Sequence, residues 1–365
     1  MQIQLEREDL LKPVGVVAGV VERRQTLPIL SYILIRASDG KITFTGTDLE
    51  VEVVATASGK VDGSGDLTVP ARKLLDICRA LPEGATVTIS KQGEKVSVKA
   101  GKSRFSLSTL PPKDFPVVDG GHFEQGLTIN QSVLKSTIDR AAFCMAQQDV
   151  RYYLNGLYVE LNGRRLRAVA TDGHRMALAD TECEGAPKAL EIIIPRKGVQ
   201  EISRLLTSAE DDVRLEISAN HVRLTFTDLV FTSKLIDGKF PDYTKVIPTS
   251  QSKLIKLDRA AFREALSRVA ILANEKYRGV RLGLETGRLA ISAHNPEQEE
   301  AAEEVETSYS GDSLEIGFNV NYLLEATAAI DAVEILLGLN DSNSSCTLRS
   351  PVSDKTQYIV MPMRL

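Results

Sequence analysis

Tryptophan is absent from this chain of 365 residues, aromatic residues make up only 5% of it, and it has four cysteines and four histidines. Each scarcity excludes something. Cys78, Cys144, Cys183 and Cys346 show no C-x-x-C spacing, so neither a disulfide framework nor a zinc site is expected, and buried free thiols are the ordinary outcome. His122, His174, His221 and His294 never stand at helical spacing from one another, which argues against a metal centre. No G-x-S-x-G elbow occurs, since Gly63-Ser64-Gly65 lacks the spacing. No apolar run approaches the roughly 18 residues of a membrane-spanning helix, and MQIQLERE lacks the basic and apolar regions of a signal peptide. The expected setting is the cytoplasm, with no membrane partner, no metal and no cofactor.

What is present is ordinary in kind: 43% hydrophobic and 25% charged residues suit a globular chain, and the length exceeds what one core normally serves. Two or three domains follow. The stretch ATDGHRMAL at 170–178 reads as strand, Asp172-Gly173 two-residue turn, strand. Similar patterns recur in FTGTDLEVEV around Asp48 and ISAHNPEQEE around Asn295, at steps of 124 and 123 residues. Other anchors keep this period, among them Leu5 with Ile129, Pro70 with Pro195 and Asn319, and Pro116 with Pro241. A triple repeat is therefore expected, with domains at 1–120, 121–248 and 249–365. Each holds two helices and about eight strands, with Pro13 early in the first helix, and helices interrupting antiparallel strands indicate an α+β fold, here arranged as an arc.

No catalytic constellation emerges. Gly101-Lys102-Ser103 resembles a P-loop tail, but Val96 stands where the first glycine belongs and a strand pattern follows. Asp211-Asp212 sits in a polar turn. Charge is more informative, because the net −5 is concentrated in 249–365, largely in PEQEEAAEEVE, whereas the first unit carries the basic tract KQGEKVSVKAGKSR. Such tracts are usually solvated faces. Placed at opposite ends of a repeat array, they also suit head-to-tail association through edge strands. Arg72, Lys73 and Arg79 on one helix pattern recur as Arg196, Lys197 and Arg204 on the next, a register suited to sequence-independent contact with duplex phosphates.

The strings QDVRYYLNG, ATDGHR, TSKLIDGKFPDY, NEKYRGVRL, HNPEQEE and VMPMRL together resemble the bacterial sliding clamps, the beta subunits of DNA polymerase III, over essentially the whole chain. The resemblance implies three repeated domains of the DNA-clamp fold forming half of a closed ring. The ring would be a homodimer that encircles double-stranded DNA and does no chemistry. It implies a pocket for short peptides from the replicative polymerase subunit, the clamp loader, other polymerases and repair proteins. The pocket residues would be Leu154, Thr171, Gly173, His174, Arg175, Met176, Pro241, Val246, Asn319, Tyr322, Val360, Met361, Pro362, Met363 and Arg364, with Tyr277 at the rim. Met176 and Tyr277 replace a leucine and a phenylalanine of the family pattern. Gln147 stands where that pattern has a histidine. DNA contacts implied are Arg24, Gln148, Tyr152, Tyr153 and the helix-borne Arg72, Lys73, Arg79, Arg196, Lys197 and Arg204. At the dimer contact, Phe105 and Leu107 would meet Ile271 and Leu272, flanked by Lys102 and Arg104 against Glu299, Glu300, Glu303 and Glu304. Two other readings stand beside this one: a triple-repeat protein scaffold that never surrounds DNA, and a hydrolase using the Asp172-His174 turn.

Overall fold

The computed structural model describes residues 1–21, 27–118, 121–123, 125–183 and 189–364. Among them are six α-helices and 25 strands. The helices are α1 (Arg7–Val20), α2 (Ala71–Ala80), α3 (Gln131–Ala142), α4 (Arg196–Leu205), α5 (Arg259–Val269) and α6 (Val320–Ala329). Every strand pairing is antiparallel, as the recurring hairpins require. Among the described residues no helix is long and apolar enough to cross a membrane.

Residues form two compact units, 1–131 with 200–235, and 132–199 with 236–365. The division cuts through the middle repeat because its strands bond sideways into both neighbours. In the first unit the strand Leu229–Lys234 pairs with Val51–Ser58, making one eight-stranded sheet. In the second, Arg175–Glu182 pairs with Ser353–Val360, making another. Each lateral pairing removes two exposed edges that would otherwise invite aggregation. A five-stranded sheet completes the first unit and a four-stranded sheet the second. Apolar side chains such as Phe44, Phe231 and Phe318 from the strands and Phe262 from α5 fill the cores.

Local chemistry agrees with the repeat. Thr47 Oγ1 donates to Val51 O at 2.8 Å, while Asp48 Oδ1 accepts the N–H of Glu50 and Val51 at 2.9 and 2.7 Å. Thr171 and Asp172 make the same bonds, to Arg175 O at 2.6 Å and from His174 and Arg175 N–H at 2.9 and 3.0 Å. The turn itself differs from the expected Asp172-Gly173 pair. Thr171 faces Met176 in the ladder, so Gly173 and His174 are the central residues and the Asp172 carboxylate closes the loop as an Asx turn. Gly173 has φ +88°, and Leu49 holds the equivalent place at +80° despite its side chain. Pro13 also departs from expectation. It is the seventh residue of α1, where its missing N–H leaves the Asp9 carbonyl without its helical donor.

One buried carboxylate merits a prediction. Glu52, only 6% exposed, accepts the Val118 N–H at 2.9 Å, while Arg223, two strands away in the same sheet, stacks 4.0 Å over Phe123. Burial pushes Glu52 above its ordinary range, against the pull of the Val118 N–H, Arg223 and Arg36. A raised folded value means the folded state holds the proton more tightly. That stability is full below the unfolded value and lost as pH rises through the folded one. Glu52→Gln should therefore gain stability over wild type progressively over the pH window above the ordinary glutamate range. Thermal melts across that window would show it, and a gain that shrinks with rising pH would contradict the burial argument.

Candidate functional site

The Asp172–Arg175 turn and the C-terminal segment border an open cavity of about 160 Å³ in the second unit. Its walls include Leu154, Thr171, Gly173, Arg175, Met176, Pro241, Val246 and Met361, eight of the residues implied from the sequence. Beneath them lies an apolar cluster of Leu154, Tyr158, Met176, Phe240, Tyr243 and Ile359. Gly173 is favoured here by its positive φ, and a Cβ would come within 2.9 Å of an Arg151 guanidinium nitrogen, so that flexible side chain would have to shift.

Arg175 organises the wall. Its guanidinium bonds Asp172 at 3.1 Å and Phe143 O at 2.9 Å, pairs with Glu325 of α6, and lies 4.6 and 5.4 Å from the ring centroids of Tyr322 and Phe143. Tyr322 thus supports the arginine and is not among the residues lining the cavity. Val360 is buried in the ladder opposite Arg175, and His174 contributes through its carbonyl, which accepts the Met361 N–H at 2.9 Å. Asn319 caps α6 by accepting the Asn321 N–H at 2.9 Å.

Five wall residues escaped the sequence reading: Arg151, Tyr153, Asp242, Tyr243 and Ile359. Tyr153, named above as a DNA contact, lines the cavity and packs on its apolar cluster. Tyr243 is pinned from behind: its hydroxyl donates to Glu160 at 3.0 Å and accepts from Arg167 at 3.3 Å. Arg167 in turn grips Asp180 with two bonds of 2.6 Å. Arg151 holds the Asp149 carboxyl down at about 2, so the acid stays ionised and the QDVR loop keeps its bonds at neutral pH. The motif FPDY could have signalled Asp242 and Tyr243, an acid and an aromatic residue that directly follow Pro241.

Met363, Arg364 and Tyr277 are not among the residues lining this cavity. They border a second cavity of about 390 Å³, with Asn274, Gly279, Arg281, Ser292, Ala293, His294, Asn295 and Pro296. The single expected pocket is therefore two cavities. Met361 borders the first and Met363 the second, with the half-buried Pro362 between them in sequence.

Register explains why the first repeat carries no copy of this wall. Glu52 faces Thr47 and Thr232 as Met176 faces Thr171 and Ile359. A carboxylate and a hydroxyl thus replace two floor residues, which apolar side chains of a ligand would not favour.

Comparison with known proteins decides the family. Three descriptions match in chain order: DNA polymerase III beta subunit, N-terminal domain at residues 1–119, central domain at 128–242, and C-terminal domain at 244–364. The chain belongs to the DNA polymerase III beta subunits. It is 51% identical to the beta sliding clamp of Pseudomonas aeruginosa and 46% to that of Escherichia coli K12, covering all of each chain. A crystal structure of the Pseudomonas aeruginosa sliding clamp, 50% identical and covered completely, matches with a TM-score of 0.98. Another from that organism, bound to griselimycin, matches at 0.97. The function is that of a DNA sliding clamp, a non-catalytic subunit with the three-domain clamp fold.

In this beta subunit the expected DNA contacts are unevenly available. Arg72, Lys73 and Arg79 are exposed on α2, with Arg72 also donating to Val21 O at 3.4 Å. Gln148 is exposed with φ +57°, and Tyr152 is exposed beside it. Arg196 and Lys197 are half-buried, and Arg196 spends one nitrogen on Met145 O at 3.0 Å. Arg204 is held by Glu201 at 2.6 Å and by Val16 O at 3.2 Å, so its charge is largely spent within the fold. Arg24 lies outside the described residues.

The residues of the expected dimer contact differ in exposure and pairing. Leu107 is only 7% exposed because it faces its own core, whereas Phe105 is half-buried, Ile271 is 75% exposed and Leu272 is half-buried. Glu303 pairs with Arg268 at 2.6 Å and Glu304 with Arg288 at 2.9 Å, while Glu299 bonds Asn295. These acids are therefore engaged within the subunit, and Glu300 keeps its exposure on the same strand, as do Lys102 and Arg104 on theirs. The two strands concerned, Ser103–Ser108 and Glu300–Glu306, each stand at the edge of their sheet.

Proposed function

We propose that two copies of this chain close head to tail around double-stranded DNA, whatever its sequence. Partners are then tethered by short peptides seated in the cavity beside Met361. The replicative polymerase subunit, the clamp loader, other polymerases and repair proteins are the partners implied, acting at the nucleoid in the cytoplasm. The domains would be 1–120, 121–248 and 249–365. The cavity carries the reading: an apolar floor with Arg151, Arg175 and Asp242 at its wall suits one or two anchored side chains of a small peptide. Two edge strands supply a second support, because pairing them between copies would satisfy their outer backbone groups. The exposed Arg72, Lys73 and Arg79 give moderate positive charge, suited to contact that allows sliding.

Topology is the test. Protein loaded on closed circular DNA should stay bound through gel filtration and be lost once the circle is cut, because a ring can slide off an end. A scaffold that never surrounds DNA predicts equal retention on both forms, and that result would sink encirclement.

A further inference from the structure

The chain that leaves the first repeat crosses the face of its eight-stranded sheet from one edge to the other before the second repeat begins. At one edge strand, Gly65–Pro70, Thr68 Oγ1 donates to Leu110 O at 2.8 Å and accepts the Leu110 N–H at 2.9 Å. Near the middle, Glu52 accepts the Val118 N–H at 2.9 Å. Farther on, the Arg223 guanidinium carbon lies 4.0 Å from the centre of the Phe123 ring, and the chain then joins the opposite edge strand, Gln125–Asn130. Glu52 faces Thr232 and Thr232 faces Arg223, so the three form one row on one face of the sheet. That row spans the seam where Val51–Ser58 of the first repeat pairs with Leu229–Lys234 of the second. The connector is thus fastened on both sides of the seam.

The next connector, 236–252, crosses the other eight-stranded sheet in the same way but is fastened elsewhere. The Ile236 N–H donates to Ile193 O at 2.9 Å, the Tyr243 hydroxyl to Glu160 at 3.0 Å, and the Gln251 amide to Thr347. Those anchors lie on Leu190–Pro195, Gly156–Asn162 and Cys346–Ser350. Among the described residues, none of its hydrogen bonds reaches Arg175–Glu182 or Ser353–Val360, the strands of the second seam. There it contributes apolar contact, with Tyr243 and Ile247 packed in the cluster that holds Met176 and Ile359.

We infer that the first connector is a strap that locks the first seam, so that bending between repeats is concentrated at the second. Opening the first seam means breaking the Val118 bond and leaving a buried acceptor unpaired, which is costly. Apolar contact is non-directional, so the second seam can shift without such a loss. Met176 and Ile359 of that seam also border the first cavity, so bending there and the shape of the cavity change together.

Native-state hydrogen exchange on the full chain, resolved strand by strand and corrected for intrinsic rates, is the test. In wild type the amides of Val51–Ser58 and Leu229–Lys234 should exchange about tenfold more slowly than those of Arg175–Glu182 and Ser353–Val360, the equivalent of one hydrogen bond to a charged group. Glu52→Ala should speed the first seam by about tenfold and leave the second unchanged. Val118→Pro removes the same bond from the connector's side without touching the sheet, so it should do the same, and the double variant no more. Glu52→Gln keeps an acceptor and should exchange as wild type does. Should Glu52→Ala fail to fold, Val118→Pro decides alone. Equal rates at the two wild-type seams, a Glu52→Ala effect spread over both sheets, or an inert Val118→Pro overturns the strap.

Discussion

Arg175→Ala is expected to weaken peptide binding at least tenfold and to lower the unfolding free energy by about 3 kcal/mol, the cost typical of stripping one partner from a buried ion pair. The Arg175 side chain is 12% exposed and its partner Asp172 is 18% exposed, so the acid left behind would be poorly solvated. Glu325, half-exposed, would lose little. The Phe143 carbonyl would lose a donor, and the Tyr322 ring would lose the cation stacked on it. Asp172 also shapes the turn carrying Gly173, so the cavity wall should slacken along with the lost charge. Arg175→Lys should fall between, because an ammonium cannot fork to Asp172, Glu325 and Phe143 O together. Urea unfolding and peptide titration read the two effects separately. If both the unfolding midpoint and the affinity stay at wild-type values, Arg175 is not the organiser of the wall.

Ile271→Asp is expected to convert the dimer to a monomer and to abolish retention on circular DNA, with little change in the stability of the subunit itself. Ile271 follows α5 in a short 3-10 turn next to the edge strand Glu300–Glu306, and at 75% exposure it contributes little to its own core. A charge placed there would have to be desolvated in any interface that covers the site, without a partner to compensate it. Apolar contact at the centre of such an interface, and not the exposed ion pairs around it, should carry most of the binding energy. Charge removal at Glu303 or Glu304 should matter less, since those acids already answer Arg268 and Arg288 within the subunit. Light scattering gives the mass directly; a dimer of unchanged mass would place the contact elsewhere.

The legible parts of the sequence were local ones. A turn whose threonine and aspartate bond the backbone two to four residues away leaves the same signature wherever it recurs, so Asp48 and Asp172 could be paired by eye and proved alike in structure. The exposed basic face of α2 also followed from helical spacing, with Leu74 and Cys78 buried and Arg72, Lys73 and Arg79 outside. Family resemblance supplied most of the cavity. It did not separate the residues that line the cavity from Tyr322, which braces Arg175 from behind, or from Met363 and Arg364, which border another cavity. The engagement of Arg204 was only half legible: its ion-pair partner Glu201 stands three residues before it, but the Val16 carbonyl to which it also donates is 188 residues away.

ATDGHRMAL shows where the two kinds of information divide. By itself the sequence determined the repeat, the hairpin at this place and the α+β class, because side-chain alternation and turn bonding depend on neighbours within a few residues. Only the tertiary structure decided that this copy borders a cavity. The ladder sets Met176 against Ile359, whereas the equivalent pairing sets Glu52 against Thr232. Both strands look alike along the chain, and the difference arises from partners well over a hundred residues distant, whose identity is settled by which sheet edges meet.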